Sequence, residues 1–303
     1  MNATADATLL RAAEAAAAEL TGLDEAARER FAHRLLAPVA SHALHRHAAG
    51  ERVLGIYGAQ GSGKSTLAAG LEALLREHAG LRVANLSLDD FYMTQAHRMR
   101  VAARLHPLFE TRGPPGTHDV PLLLRTLDAL LAPASDGAVQ HTVPVPRFDK
   151  GADDRAPEPD GLPAPVDLVV LEGWCLGVPA QPAELLTTPC NDLERQRDAS
   201  GRFRRCVNHR LAHDYAALTQ RVGWLLALLV DSFETSCAQR LAQEHRLRAR
   251  TGRGMSDAQV AEFMQRYERV SRWALDTMAE RADLCVRVGR DHAPRQDVPW
   301  LSA

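Results

Sequence analysis

Apolar residues follow two rhythms along this chain. Up to about His47 they recur every three or four positions, as at Leu9, Leu10, Ala13 and Ala17, then at Phe31, Leu35 and Leu36. That spacing predicts two helices joined near Thr21 and Gly22, packed as a cap on the main domain. From Arg52 onward, short solid apolar runs alternate with helical stretches. The runs are "RVLGIYG", "LRVANLSLDD", "PVDLVVLEGW", "VGWLLALLVD" and "ADLCVRVG". Between them, "KSTLAAGLEALLREHAG", "HDVPLLLRTLDALLA" and two long patterns from about Glu234 and Asp257 have helical periodicity. Strand-length runs alternating with helices predict an α/β fold: a doubly wound, mainly parallel sheet covered on both faces. Residues 1–50 form the expected N-terminal helical extension and 51–303 the main domain. "HTVPVPRFD" reads as a short peripheral strand because of its prolines. "GADDRAPEPDGLPAPVD" reads as a loop. The polar stretch 187–206 follows neither rhythm, and no internal repeat is visible.

Composition narrows the class without choosing a function. The chain has 303 residues, 46% hydrophobic and 24% charged, with a formal net charge of -2. No overall basic field argues for nucleic acid or an anionic membrane as partner. The five cysteines are scattered and none forms a CxxC pair, so neither a disulfide framework nor a zinc site is suggested, and a reducing cytoplasm is the expected compartment. The thirteen histidines include no HExxH pattern. No stretch approaches the roughly 20 apolar residues of a membrane span. The N-terminus lacks a positive n-region and carries Asp6, Glu14 and Glu19, against a secretory signal.

One motif carries strong chemical meaning. "GAQGSGKST", Gly58 to Thr66, fits G-x-x-x-x-G-K-[ST], with an apolar strand before it and a helix after it. Glycines let successive amides curl around phosphate oxygens, and the helix N-terminus adds positive potential. The expected phosphate cradle is Gly58, Gly61, Ser62, Gly63, Lys64, Ser65 and Thr66. Lys64 would reach the β- and γ-phosphates, and Ser65 would ligate Mg2+ beside ATP.

In doubly wound sheets, ligands sit beyond the carboxyl ends of the strands. The strand "DLVVLEGW" delivers Glu172 there, placed to hold the metal or its waters. The strand "VANLSLDD" delivers Asp89 and Asp90. On an extended chain their side chains point to opposite faces. One can then orient or deprotonate an acceptor hydroxyl, while the other caps a helix or binds a metal water. A regulatory nucleotide switch would also use a phosphate loop, but no N/TKxD guanine motif is present.

"DDFY" after a second strand, behind a phosphate loop, resembles the phosphoribulokinase, uridine kinase and pantothenate kinase group, which has the P-loop nucleoside triphosphate hydrolase fold. A closer resemblance runs through "GTHD" (Gly116–Asp119), "PRFDK" (Pro146–Lys150), "LEGWCLG" (Leu171–Gly177), Val207-Asn208 and "GMSDAQVAEFMQRY" (Gly254–Tyr267). That order is similar to D-glycerate 3-kinases of the plant and fungal type and their bacterial kinase-like relatives. The resemblance implies an ATP-dependent transfer to a hydroxyl of a small acid, most directly D-glycerate. Pantothenate, a nucleoside or a sugar phosphate remain alternative acceptors. It implies Asp89 as the catalytic carboxylate, also near the metal, with Asp90 in support. A small acid needs cations and polar groups, so Asp90, Tyr92, His118, Asp119, Arg147, Asp149 and Lys150 are the candidates for the acceptor side, where Arg suits a carboxylate, and the resemblance implies Asp119 and Arg147 first. His118 and Asp119 also suit the cap of the following helix. A helical lid at about 240–256 would bring Arg240 to the transferred phosphoryl and Arg248 to the nucleotide, with Arg155 a weaker choice. Trp174 and Trp273 read as packing residues. The expected protein is a monomer or homodimer.

Overall fold

The computed structural model describes residues 3–20, 24–133, 141–289, 293–296 and 298–299. Its strands are β1 (Val53–Gly58), β2 (Val83–Ser87), β3 (His141–Val145), β4 (Phe148–Asp149), β5 (Asp154–Arg155), β6 (Asp160–Ala164), β7 (Leu168–Gly173), β8 (Trp224–Val230) and β9 (Leu284–Val288). The helices are α1 (Ala3–Ala18), α2 (Glu25–Phe31), α3 (Ala37–Ala48), α4 (Lys64–Ala79), α5 (Gln95–Arg104), α6 (Val120–Leu131), α7 (Asp192–Arg197), α8 (Arg202–Arg210), α9 (Ala216–Thr219), α10 (Phe233–Thr251) and α11 (Asp257–Arg281).

Five strands make one parallel sheet in the order β2-β7-β1-β8-β9. β1, β7 and β8 are buried along their whole length, as parallel strands with helices on both faces must be. Strand alternation divides their side chains between two cores. Leu54, Ile56, Val170, Leu226 and Leu228 face α1, α3 and α4. Val53, Tyr57, Val169, Leu171 and Leu229 face α6, α8 and α11. The N-terminal helices therefore share a core with the sheet. The second rod runs unbroken from α2 to α3 through a π-helical stretch, Ala32–Leu36. Pro38, which has no amide hydrogen to donate, lies just beyond that stretch. The expected join at Thr21 and Gly22 lies outside the described residues.

Two sequence expectations are corrected here. Residues 151–167 are not one loop: β6 pairs antiparallel with β3, and β5 pairs with β4. In a two-stranded ribbon, outward-facing amides need no partner, so Pro144 and Pro163 are tolerated. Asp89 and Asp90 are not on extended chain either. Residues Leu88–Phe91 form a 3₁₀ turn, begun where the Asp89 amide donates to Ser87 Oγ at 3.3 Å. Helix α5 was not anticipated. The polar stretch 187–206 contains α7 and the start of α8. Arg269 on α11 grips it, donating twice to Glu194 at 2.8 and 2.6 Å.

Candidate active site

The phosphate loop leaves β1 at Gly58 and enters α4 at Lys64. Gly61 (φ 79°) and Gly63 (φ 90°) take left-handed conformations that favour glycine. A Cβ on Gly61 would lie 2.7 Å from Gln239 Cβ, so α10 rests directly on the loop. Gly63 caps α4 without any side-chain hydrogen bond. The helix thus presents its first amides without a side-chain acceptor, as an anion cradle requires.

Parallel register explains the next contact. β7 lies between β1 and β2, and Glu172 is level with Ile56 on one side and Ser87 on the other. Its carboxylate is 5% exposed. Oε1 accepts from Ser65 Oγ at 2.9 Å and Ser87 Oγ at 2.8 Å. Oε2 has no hydrogen-bond partner and lies 3.7 Å from Lys64 Nζ. A hydroxyl and a carboxylate with an unsatisfied oxygen are the hard donors Mg2+ takes alongside phosphate and water. Among the described residues, no group of three or more His, Cys, Asp or Glu could hold a metal by itself. These ligands therefore suit an ion shared with a nucleotide. Ser65, Ser87, Glu172, Asp90 and Arg147 line a cleft of about 250 Å³.

The two aspartates hold the β4–β5 hairpin. Lys150 Nζ donates to Asp89 Oδ2 at 2.9 Å. Asp90 accepts from Arg147 Nη1 at 2.7 Å and from the Phe148 amide at 3.2 Å. Arg147 also donates to Asp160 at 2.6 Å, so its fork is shared between two carboxylates. Asp149, exposed, accepts the amides of Gly151 and Ala152 and so shapes its own turn. Burial pushes the Asp89 carboxyl up, but Lys150 and Lys64 outweigh it and hold the carboxyl down at about 2. Asp89 is 31% exposed and ionised at neutral pH. Lys150 is raised, first by the Asp89 charge.

Behind this pair lies an aromatic wall. Tyr92 stacks on His118 at 4.2 Å and meets Phe148 edge-on at 5.1 Å. His118 Nδ1 bonds the Tyr215 hydroxyl, while its buried Nε2 has no partner. Burial lowers His118 to about 4 against the opposing pull of Asp89, leaving a neutral ring at pH 7. Burial, with help from Asp89, pushes the Tyr92 hydroxyl up, so it stays protonated. Asp119 caps α6 through the Leu122 amide at 3.1 Å, and its second oxygen takes Arg155 at 3.2 Å. Arg155 also donates to the Tyr92 carbonyl at 2.7 Å. Arg248, expected at the nucleotide, is bound to Asp257 at 2.6 Å. Arg240 pairs with Glu244 at 2.6 Å beside the phosphate loop.

Three participants escaped the sequence reading. Ser87 shares Glu172 with Ser65, and a polar residue ending a buried strand was the available signal. Arg112 lies over the Phe148 ring (5.4 Å to its centre), pairs with Asp153 and donates to the Lys150 carbonyl at 3.3 Å. Tyr267 packs edge-on against Trp174 at 4.7 Å and crowds Gly113. It lies inside a quoted motif but gave no sign of its direction.

A strand–loop–helix phosphate cradle at the carboxyl edge of a parallel sheet, with an acidic neighbouring strand end, defines a P-loop nucleotide-binding protein. No protein-family profile matches the chain. It is 34% identical over 242 residues to the uncharacterized kinase mug58 of Schizosaccharomyces pombe, covering 77% of this chain and 84% of that protein. It is 32% identical over 227 residues to the probable ATP-dependent kinase TDA10 of Saccharomyces cerevisiae, covering 69% and 73%. Its fold matches D-glycerate 3-kinase from Cryptococcus neoformans with a TM-score of 0.71 and 27% identity, over 85% of this chain and 96% of that one. The chain belongs to the P-loop kinases of the phosphoribulokinase and uridine kinase group, and its nucleotide is ATP.

Proposed function

We propose that this kinase transfers the γ-phosphoryl group of ATP to a hydroxyl of a small hydroxy acid, with D-glycerate going to 3-phosphoglycerate. The observation that carries this reading is Asp89, ionised and held by Lys150 within the field of Lys64. A negative oxygen thus stands beside the phosphate loop where an acceptor hydroxyl must sit, among cations that suit an acidic acceptor. The glycerate kinase named among the relatives supports the choice of acid.

In this reading the acceptor oxygen attacks the γ-phosphorus, the bond to the β–γ bridging oxygen breaks, and ADP leaves. Asp89 accepts the hydroxyl hydrogen bond and takes the proton late, because a loose transition state asks little of a base. Ser65 and Glu172 would hold Mg2+, which would supply positive charge to offset that of the phosphates. Lys64 and Arg240 stabilise the transferred group electrostatically. Lys150, released from Asp89 by the hydroxyl, meets the acceptor carboxylate. Tyr92 and His118 form a neutral wall that shields the site from water.

A coupled ADP-release screen with D-glycerate, L-glycerate, pantothenate, uridine and ribulose 5-phosphate tests the reading. D-glycerate should give the highest kcat/KM. Stimulation by another acceptor alone refutes glycerate and keeps the class. ATP turnover at full rate without any acceptor, surviving Asp89→Asn, refutes the phosphotransfer reading.

A further inference from the structure

Glu244 lies one helical turn beyond Arg240 on α10 and is 2% exposed. An isolated buried carboxylate is costly, so its partners reveal what holds it there. Phe233, Val260 and Met264 form a small apolar cluster between α10 and α11, with Leu241 and Met255 against them. Oε1 accepts the Met255 amide at 2.7 Å, in the turn joining the two helices. Oε2 lies 2.6 Å from Arg240 Nη2 but makes no well-directed hydrogen bond. The turn is shaped around this carboxylate. Gly254 has φ 148°, and a Cβ there would lie 2.5 Å from Glu244 Oε1 and 2.9 Å from Arg248 Cγ.

At its other end the contact reaches the nucleotide site. A Cβ on Gly61 would lie 3.5 Å from the Arg240 amide nitrogen, so this part of α10 borders the phosphate loop. Among the described residues, Glu244 is the one ion-pair partner of Arg240. The pair is one-pronged, which leaves the rest of the guanidinium fork for phosphate oxygens. Holding a long side chain in place before the ligand arrives also removes an ordering cost.

We propose that Glu244 is a positioning residue for phosphoryl transfer, fixing the Arg240 guanidinium beside the phosphate loop and tying it to the turn between α10 and α11. This rests on the reading of Arg240 as a group that offsets charge on the transferred phosphoryl. The carboxylate supplies the negative charge that orients the arginine, and the Met255 amide supplies the anchor that orients the carboxylate. Closure of the turn and placement of the arginine become one event.

The test compares binding of Mg-ADP with and without aluminium fluoride, a mimic of the transferring phosphoryl, by calorimetry on the full chain. It needs no knowledge of the acceptor. Glu244→Gln keeps an acceptor for the Met255 amide and removes only the charge. Mg-ADP affinity should stay within about twofold for Arg240→Ala, Glu244→Gln and Glu244→Asp. With fluoride, Arg240→Ala should weaken binding about a hundredfold and Glu244→Gln about tenfold, with Glu244→Asp between Glu244→Gln and the unaltered chain. The double variant should be no weaker than Arg240→Ala alone, since Glu244 acts only through the arginine. Full fluoride-dependent binding in Glu244→Gln, with loss in Arg240→Ala, overturns the role of Glu244 and spares that of Arg240. Full binding in Arg240→Ala overturns the underlying reading. Losses that multiply in the double variant show an independent structural effect and also overturn the proposal.

Discussion

At Asp89, two ammonium groups keep ionised a carboxylate that burial alone would favour neutral. Its turn partner Asp90 meets a guanidinium and an amide and fastens the hairpin instead. Replacing Asp89 with Asn keeps the shape and removes the charge. The expected loss in kcat is about a hundredfold or more, with ATP affinity changed less than a few-fold, read by steady-state kinetics and calorimetry. His118 gives a prediction about stability. Its folded value of about 4 lies below the ordinary 6.5, so between those values the unfolded chain binds more protons. Its contribution is complete above about 6.5 and declines as pH falls to about 4, by at most on the order of 3 kcal/mol. Burial lowers His42 and His106 too, adding the same sign. Urea unfolding between pH 7 and 4.5 should show the decline, and His118→Gln should flatten it. An unchanged slope in that variant would assign the decline to the other histidines. The motif and the paired aspartates were legible because chemistry attaches to residue type. The partners of Asp89, Arg147 and Asp149 were not, because they come from chain 13 to 61 residues away or from a turn's own amides.

Elements were legible where one rhythm ran long enough. The solid runs became β1, β7 and β8, and the pattern from Asp257 became α11, opened by a capping box of Ser256 and Gln259. Short or ribbon-like elements were hidden, as in 151–167, where paired edges carry no apolar face to mark them. The stretch 187–206 shows the same limit, since only Leu193 and Phe203 of it enter the core and buried ion pairs hold much of the rest. Glu194 is 4% exposed and receives both prongs of Arg269, which also donates to the Leu185 and Thr188 carbonyls. Glu194→Ala strands a buried guanidinium, and the expected cost is about 3 kcal/mol in chemical denaturation. ATP affinity should hold, because the pair ties α7 to α11 and its hydrogen bonds reach no residue of the phosphate loop.

Among the described residues, the five-stranded sheet separates two large cores, and the N-terminal rods complete one of them. Leu36 is fully buried, and a Cβ on Gly70 of α4 would already lie 3.2 Å from it. Leu36→Ala should therefore cost about 2–5 kcal/mol and lower the melting temperature of the entire domain in a single transition. A separate early transition would show that the rods unfold by themselves. No helix among the described residues is long and apolar enough to cross a membrane. By itself, the sequence determined the rhythm of strands and helices, the phosphate loop and the kinase family, since periodicity and glycine placement act over a few neighbouring residues. Tertiary structure alone decided which groups meet: Asp89 with Lys150, Glu172 with two serines, Glu194 with Arg269. Pairing depends on strand order, register and helix packing, and those bring together side chains whose separation along the chain says nothing of their distance.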